Sequence, residues 1–145
     1  MEISRRNVLV VDDDIDWLDL MERRLKRFGV HLVLARDGVE AVKLLDEQPF
    51  DLVITDTNMP YMDGISLLKF IRSCDQKLPV IVFFCSLWGS ALRAEDLTKI
   101  GATAVLEKRD CHSPLDLLLS QFLSPGAQDL PRGPLRPIEG REGVR

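Results

Sequence analysis

Two hydrophobic rhythms alternate along the chain. Short, nearly continuous apolar runs appear at 8–11 ("VLVV"), 30–35 ("VHLVLA"), 51–56 ("DLVITD"), 79–84 ("PVIVFF") and 102–107 ("ATAVLE"). Runs of this length, rich in β-branched residues, predict strands, and the unbroken ones predict burial on both faces. Between them the apolar positions shift to helical spacing. Leu18, Met21, Leu25 and Phe28 form one such set, with Gly29 as its stop. Asp37 is suited to cap a helix over 37–48, and a helix over 63–74 is expected to turn Ile65, Leu68 and either Ile71 or Phe70 inward. A weaker pattern covers 92–100, and a last helix spans 114–123 with Pro114 in its first turn. Strands alternating with helices about ten residues long mean βαβ units around a parallel sheet. Five of each fit the chain, which makes it an α/β protein.

From Ser124 the character changes: the last 22 residues hold four Pro and four Gly and few large apolar side chains. They cannot bury a core. The expected organisation is one domain over 1–123 and a flexible tail over 124–145. A total of 145 residues, 46% apolar and 29% charged, is ordinary for a globular domain with a real core. The net charge of −4 argues against a surface for nucleic-acid phosphates. Cys74, Cys85 and Cys111 are odd in number and form no CxxC pair, a pattern of reduced thiols rather than a disulfide framework. "MEISRRN" leads straight into a strand without a signal-peptide core, and no apolar run reaches membrane-spanning length. A cytoplasmic protein, with no membrane and no direct nucleic-acid contact, is the expectation.

The chemistry gathers at strand ends. Asp12, Asp13 and Asp14 stand at the mouth of the first strand, Asp56 ends the third, and Lys108 follows the fifth. In an open parallel sheet, function sits outside the carboxyl ends of the strands. Asp12, Asp13 and Asp56 brought together would make a hard, oxygen-rich site suited to Mg²⁺ (or Mn²⁺), whose charge would relieve their mutual repulsion. An adjacent Lys108 would be a second electrophile facing a phosphoryl group. Alone, Asp56 reads as a strand end and Lys108 as a solvated lysine; it is the combination that points to a site. Asp14 reads as the N-cap of the first helix, and His31 and His112 as surface or cap residues.

The segments "VLVVDDD", "PFDLVITDTNMPYMDG", "LPVIVFF" and "GATAVLEK" resemble, in order and spacing, the receiver domain of bacterial two-component response regulators, over roughly residues 5–123. The resemblance implies a flavodoxin-like doubly wound sheet in the order 2-1-3-4-5. It also implies transfer of a phosphoryl group from a histidine kinase or phosphotransfer protein to one aspartate, with Mg²⁺ bound. On this sequence Asp56 would be the phosphoacceptor. Asp13 would ligate the metal directly, Asp12 through water, and Asn58 through its backbone carbonyl. Lys108 would bridge to the phosphoryl oxygens, and Pro60 and Gly64 would shape the loop after Asp56. Such a protein promotes its own phosphorylation and dephosphorylation and needs no separate substrate. With no DNA-binding segment recognisable after 123, its output would pass through another protein.

Three positions depart from that pattern. Where the family has Thr or Ser at the end of the fourth strand, this chain has Phe84. Ser86 could replace the hydroxyl only through a bulge or a changed loop. Where the family has a rotating Tyr or Phe there is Val105, and Arg109 replaces the proline after the lysine. The residues that capture a phosphoryl group are thus complete, while the switch positions 84 and 105 are substituted. A phosphorelay receiver and a receiver-fold interaction module independent of phosphorylation both fit.

Overall fold

The computed structural model describes residues 5–85, 94–110 and 112–123. Five parallel strands, β1 (Asn7–Val11), β2 (His31–Ala35), β3 (Leu52–Asp56), β4 (Val80–Phe84) and β5 (Ala104–Glu107), form one sheet in the order 2-1-3-4-5. Helices α1 (Ile15–Leu25), α2 (Gly38–Glu47), α3 (Gly64–Cys74), α4 (Ala94–Ile100) and α5 (Ser113–Leu123) follow the strands in turn. This is the expected flavodoxin-like α/β fold. The expected tail over 124–145 lies outside the described residues, as do Ser86, Leu92 and Cys111.

Local chemistry sets the helix ends. Asp14, Asp37 and Asp63 each cap a helix, their carboxylates accepting backbone N–H groups of Asp16 and Trp17, of Glu40, and of Ser66. After α1 a single 3₁₀ turn (Lys26–Phe28) runs into Gly29, whose φ of 65° is the left-handed conformation glycine adopts freely. On α3 the buried side chains are Leu67, Leu68 and Ile71, whereas Ile65 and Phe70 are only half-buried. The expected stripe of 65, 68 and 71 is therefore rotated toward Leu67. The cause is that α3 is wedged between α2 and α4, so two neighbouring positions per turn find cover.

Strand alternation divides the core in two. Val8, Val10, Leu52, Ile54, Ile81 and Phe83 pack with Leu18, Met21 and Leu25 of α1 and Leu115 and Leu119 of α5. Leu9, Val11, Val53, Val80 and Val82 pack with the α2, α3 and α4 side chains on the other face. Both faces of the sheet are covered, which is why its strands read as continuous apolar runs.

The third strand hands over to α3 through a tight loop. Gly64 N–H donates to the Thr57 carbonyl at 2.9 Å, and a Cβ at Gly64 would run into the Asp56 carbonyl oxygen. Backbone cannot yield as a flexible side chain can. Gly64→Ala should therefore displace the 57–63 loop and lower the unfolding free energy by about 3 kcal/mol; urea denaturation measures this, and a loss under 0.5 kcal/mol would show that the loop relaxes freely.

Candidate functional site

Three charged residues converge at the carboxyl edge of β1, β3 and β5. Asp12, Asp56 and Lys108 continue the parity of Val10, Ile54 and Leu106, so the pleat directs them toward the α1 and α5 side. Asp12 Nα–H extends the β1–β2 ladder by donating to the Ala35 carbonyl at 3.1 Å, which fixes the carboxylate at the sheet edge. Lys108 Nζ lies 2.8 Å from Asp12 Oδ2 and 3.5 Å from Asp56 Oδ2. Asp13 is exposed, and carboxylate oxygens of Asp12, Asp13 and Asp56 lie within 4.8 Å of one another. Asn58 stands exposed two residues beyond Asp56.

The electrostatics are unbalanced. Asp12 is 0% exposed, and its Oδ2 has no well-directed hydrogen bond, only the ammonium of Lys108 beside it. Burial pushes the Asp12 carboxyl up from its ordinary 3.8 to about 6, against the pull of Lys108 and of the Asp14 N–H that donates to its Oδ1. Burial raises Asp56 as well, opposed chiefly by Lys108. For Lys108 burial would lower the value, but Asp12 and Asp56 outweigh it and hold the ammonium above its ordinary range. Three carboxylates against one ammonium leave room for a further cation. A buried carboxylate oxygen without a well-directed hydrogen bond, all-oxygen donors and one side open to water fit a hard divalent ion such as Mg²⁺ or Mn²⁺, which keeps several waters.

Of the predicted site residues, the fold brings Asp12, Asp13, Asp56 and Lys108 together. Phe84 and Val105 sit elsewhere: both are half-buried against the core shared with α3 and α4. Arg109 is exposed and pairs with Glu107. His31 is exposed, and His112, at the entry to α5, contacts the Arg24 guanidinium. Sequence reasoning passed over Trp17, whose ring lies 4.9 Å from Lys108 Nζ and meets Phe83 edge-on at 5.1 Å. Its signal was available only as a position one turn beyond Asp13 on α1.

Comparison with known proteins converges on one family. The model of the response regulator receiver domain matches residues 8–116. The transcriptional regulatory protein ZraR of Klebsiella oxytoca is 35% identical over 118 residues, which are 81% of this chain and 26% of that protein. The chain thus corresponds to a minor part of such relatives. The Francisella response regulator 1452 receiver domain superposes with a TM-score of 0.74 at 29% identity, covering 82% of this chain and 97% of that one. The receiver domain of sensor histidine kinase PA1611 from Pseudomonas aeruginosa PAO1, solved with a magnesium ion in its active site cleft, has a TM-score of 0.72 over 83% of this chain and 98% of that one. At 23% identity it is a likeness of fold. Among the described residues no helix is long and apolar enough to cross a membrane.

The raised carboxyls have a consequence for stability. Without metal, the folded protein holds protons on Asp12 and Asp56 that the unfolded chain releases from pH 3.8 upward, so stability falls as pH rises from there to about 6. The Lys108 contribution is constant in this window, because it is lost only above the ordinary 10.5. Asp12→Asn removes the buried charge, keeps the shape and leaves Lys108 its Asp56 partner. It should stabilise the protein in EDTA at pH 7 by about 1–3 kcal/mol and by much less at pH 4, as measured by urea denaturation. A variant less stable than wild type at pH 7 would show that the ion pair outweighs the burial of Asp12.

Proposed function

The chain belongs to the response regulator receiver domain family of two-component signalling, and we propose that it accepts a phosphoryl group on Asp56 from a histidine kinase or histidine phosphotransfer protein in a Mg²⁺-dependent phosphorelay. One observation carries this reading: Asp56, at the open end of a central strand, shares the Lys108 ammonium with a buried Asp12 and has Asp13 beside it.

Ionised Asp56 is the nucleophile. One of its oxygens attacks phosphorus in line; the new P–O bond forms as the donor's P–N bond breaks, and the leaving imidazole takes its proton from water. Lys108, 3.5 Å from Asp56 Oδ2, lies within reach of the oxygens of the incoming group and opposes the burial that favours protonated Asp56. Asp13, Asp56 and the Asn58 backbone carbonyl would hold Mg²⁺, with Asp12 acting through water; when bound, the ion neutralises charge gathering on the phosphoryl oxygens. The cytoplasm, where such donors act, is the compartment this role requires.

A second reading concerns output. Phe84 has no hydroxyl to offer a phosphoryl group, and Val105 has no ring to rotate; both pack half-buried against the core on the α3 and α4 side. The fold would then serve as an interaction module with little dependence on phosphorylation. Ser86 remains a candidate for the missing hydroxyl.

Two measurements test these readings. Incubation with acetyl phosphate and Mg²⁺ should add one phosphoryl group, seen by intact mass, and Asp56→Asn should abolish it; label on the variant would move the acceptor elsewhere. Adding beryllofluoride and Mg²⁺ should change amide exchange near 57–64 and 85–90 but little over α4, β5 and α5. A partner on that face should then prefer the phosphorylated form by less than about tenfold. Broad, cooperative protection over 94–122 would reveal a switch despite Phe84 and Val105.

A further inference from the structure

Lys108 has a third neighbour besides Asp12 and Asp56. Its Nζ sits over the Trp17 ring, 4.9 Å from the centroid. The negative face of an indole attracts a cation, and more strongly where water is partly excluded. Lys108 is such a case, with its side chain only 25% exposed.

Trp17 is itself fixed. It lies in the first turn of α1, where its backbone N–H points to the capping carboxylate of Asp14. Its ring meets the edge of Phe83 with 75° between the planes, one of the preferred aromatic arrangements. Phe83 is fully buried, is the register partner of Asp56 on the neighbouring strand, and accepts the Thr57 N–H through its carbonyl at 3.1 Å. A closed circuit results: Asp56 backbone to Phe83, Phe83 ring to Trp17, Trp17 face to Lys108, and Lys108 back to Asp56.

We propose that Trp17 is a positioning residue for Lys108, its ring holding the ammonium within reach of Asp56 whether or not Asp12 is engaged by another cation. This rests on the phosphoacceptor reading above. The physical need is plain. A lysine ends four rotatable carbons, and a partner that fixes its head saves the rotamer freedom it would otherwise lose on meeting the phosphoryl oxygens. The 2.8 Å contact with Asp12 competes for the same ammonium that phosphoryl transfer needs. A face contact imposes no fixed hydrogen-bond direction, so Lys108 can pivot on the ring from Asp12 toward Asp56. Leucine would fill much of the volume and provide no such attraction.

The test compares Trp17→Leu and Trp17→Phe in wild-type and Lys108→Ala backgrounds. Its readouts are the rate of Asp56 labelling by acetyl phosphate at saturating Mg²⁺ and the NMR shift of the Lys108 ε-methylene protons. Trp17→Leu should slow labelling about five- to tenfold, whereas Trp17→Phe, which keeps a ring face, should stay within about threefold. In the Lys108→Ala background Trp17→Leu should have no further effect beyond about twofold, the signature of two residues acting as one. The ε-methylene protons should lie upfield in the wild type, from the ring current, and return to the free-lysine position in Trp17→Leu. Should Trp17→Leu fail to fold, fluorinated tryptophans at position 17, in a Trp88→Phe background, keep the shape and weaken the ring's negative face; labelling should slow with each added fluorine. Equal slowing in both Lys108 backgrounds, an unaffected Trp17→Leu, or an unshifted ε-methylene in wild type overturns the proposal. A wild type that takes up no phosphoryl group overturns the phosphoacceptor reading and the proposal with it; a labelled wild type with an indifferent Trp17→Leu overturns the proposal alone.

Discussion

Lys108 serves two buried carboxylates at once, 2.8 Å from Asp12 and 3.5 Å from Asp56, and one ammonium cannot neutralise both. A single lysine shared in this way leaves Asp12 Oδ2 without a well-directed hydrogen bond at the centre of the carboxyl edge. Replacing such a cluster with apolar side chains would generally stabilise a fold. Its presence at the ends of the buried strands β1 and β3 is a cost to the fold that a bound cation would offset. Every neighbouring feature accommodates this arrangement: an exposed Asp13 keeping one side open to water, an aromatic ring beside the ammonium, and a tight loop behind Asp56.

In the proposed phosphorelay role, the two-faced sheet would separate capture from read-out. Asp12, Asp56 and Lys108 share the parity of the α1 and α5 face, while Phe84 and Val105 belong to the core on the α3 and α4 side. A change at the acidic edge reaches the opposite face only if some side chain has two arrangements, and a coupling free energy needs such a bistable element. Two apolar side chains half-buried against that core, one without a hydroxyl and one without a ring, do not supply one readily. Arg109, paired with Glu107 at the surface, likewise leaves the end of β5 without the family's proline.

The helix layer adds constraints of its own. Arg24 of α1 pairs with Asp116 of α5 at 3.0 Å and contacts His112, tying together the two helices that cover the site face. Arg72 of α3 donates to the carbonyls of Asp75, Leu78 and Gly101, clamping the turn before β4 to the turn before β5. Both contacts limit how far the elements carrying the acidic edge can shift.

Much of this was legible in one dimension. Continuous β-branched runs, helical spacing between them, and Asp at each of three helix starts dictated the elements, because burial on both faces and capping are local demands that a pattern records. The acidic residues and Lys108 were likewise visible as charges placed at the ends of apolar runs. What the sequence could not determine was which atoms meet. The sharing of one ammonium by Asp12 and Asp56, the rotation of α3 toward Leu67, and the approach of Trp17 to Lys108 depend on strand order, register and pleat parity. Those are long-range properties: residues 12, 17, 56, 83 and 108 become neighbours only when crossover connections bring four parallel strands to a common edge, and no local spacing encodes that distance.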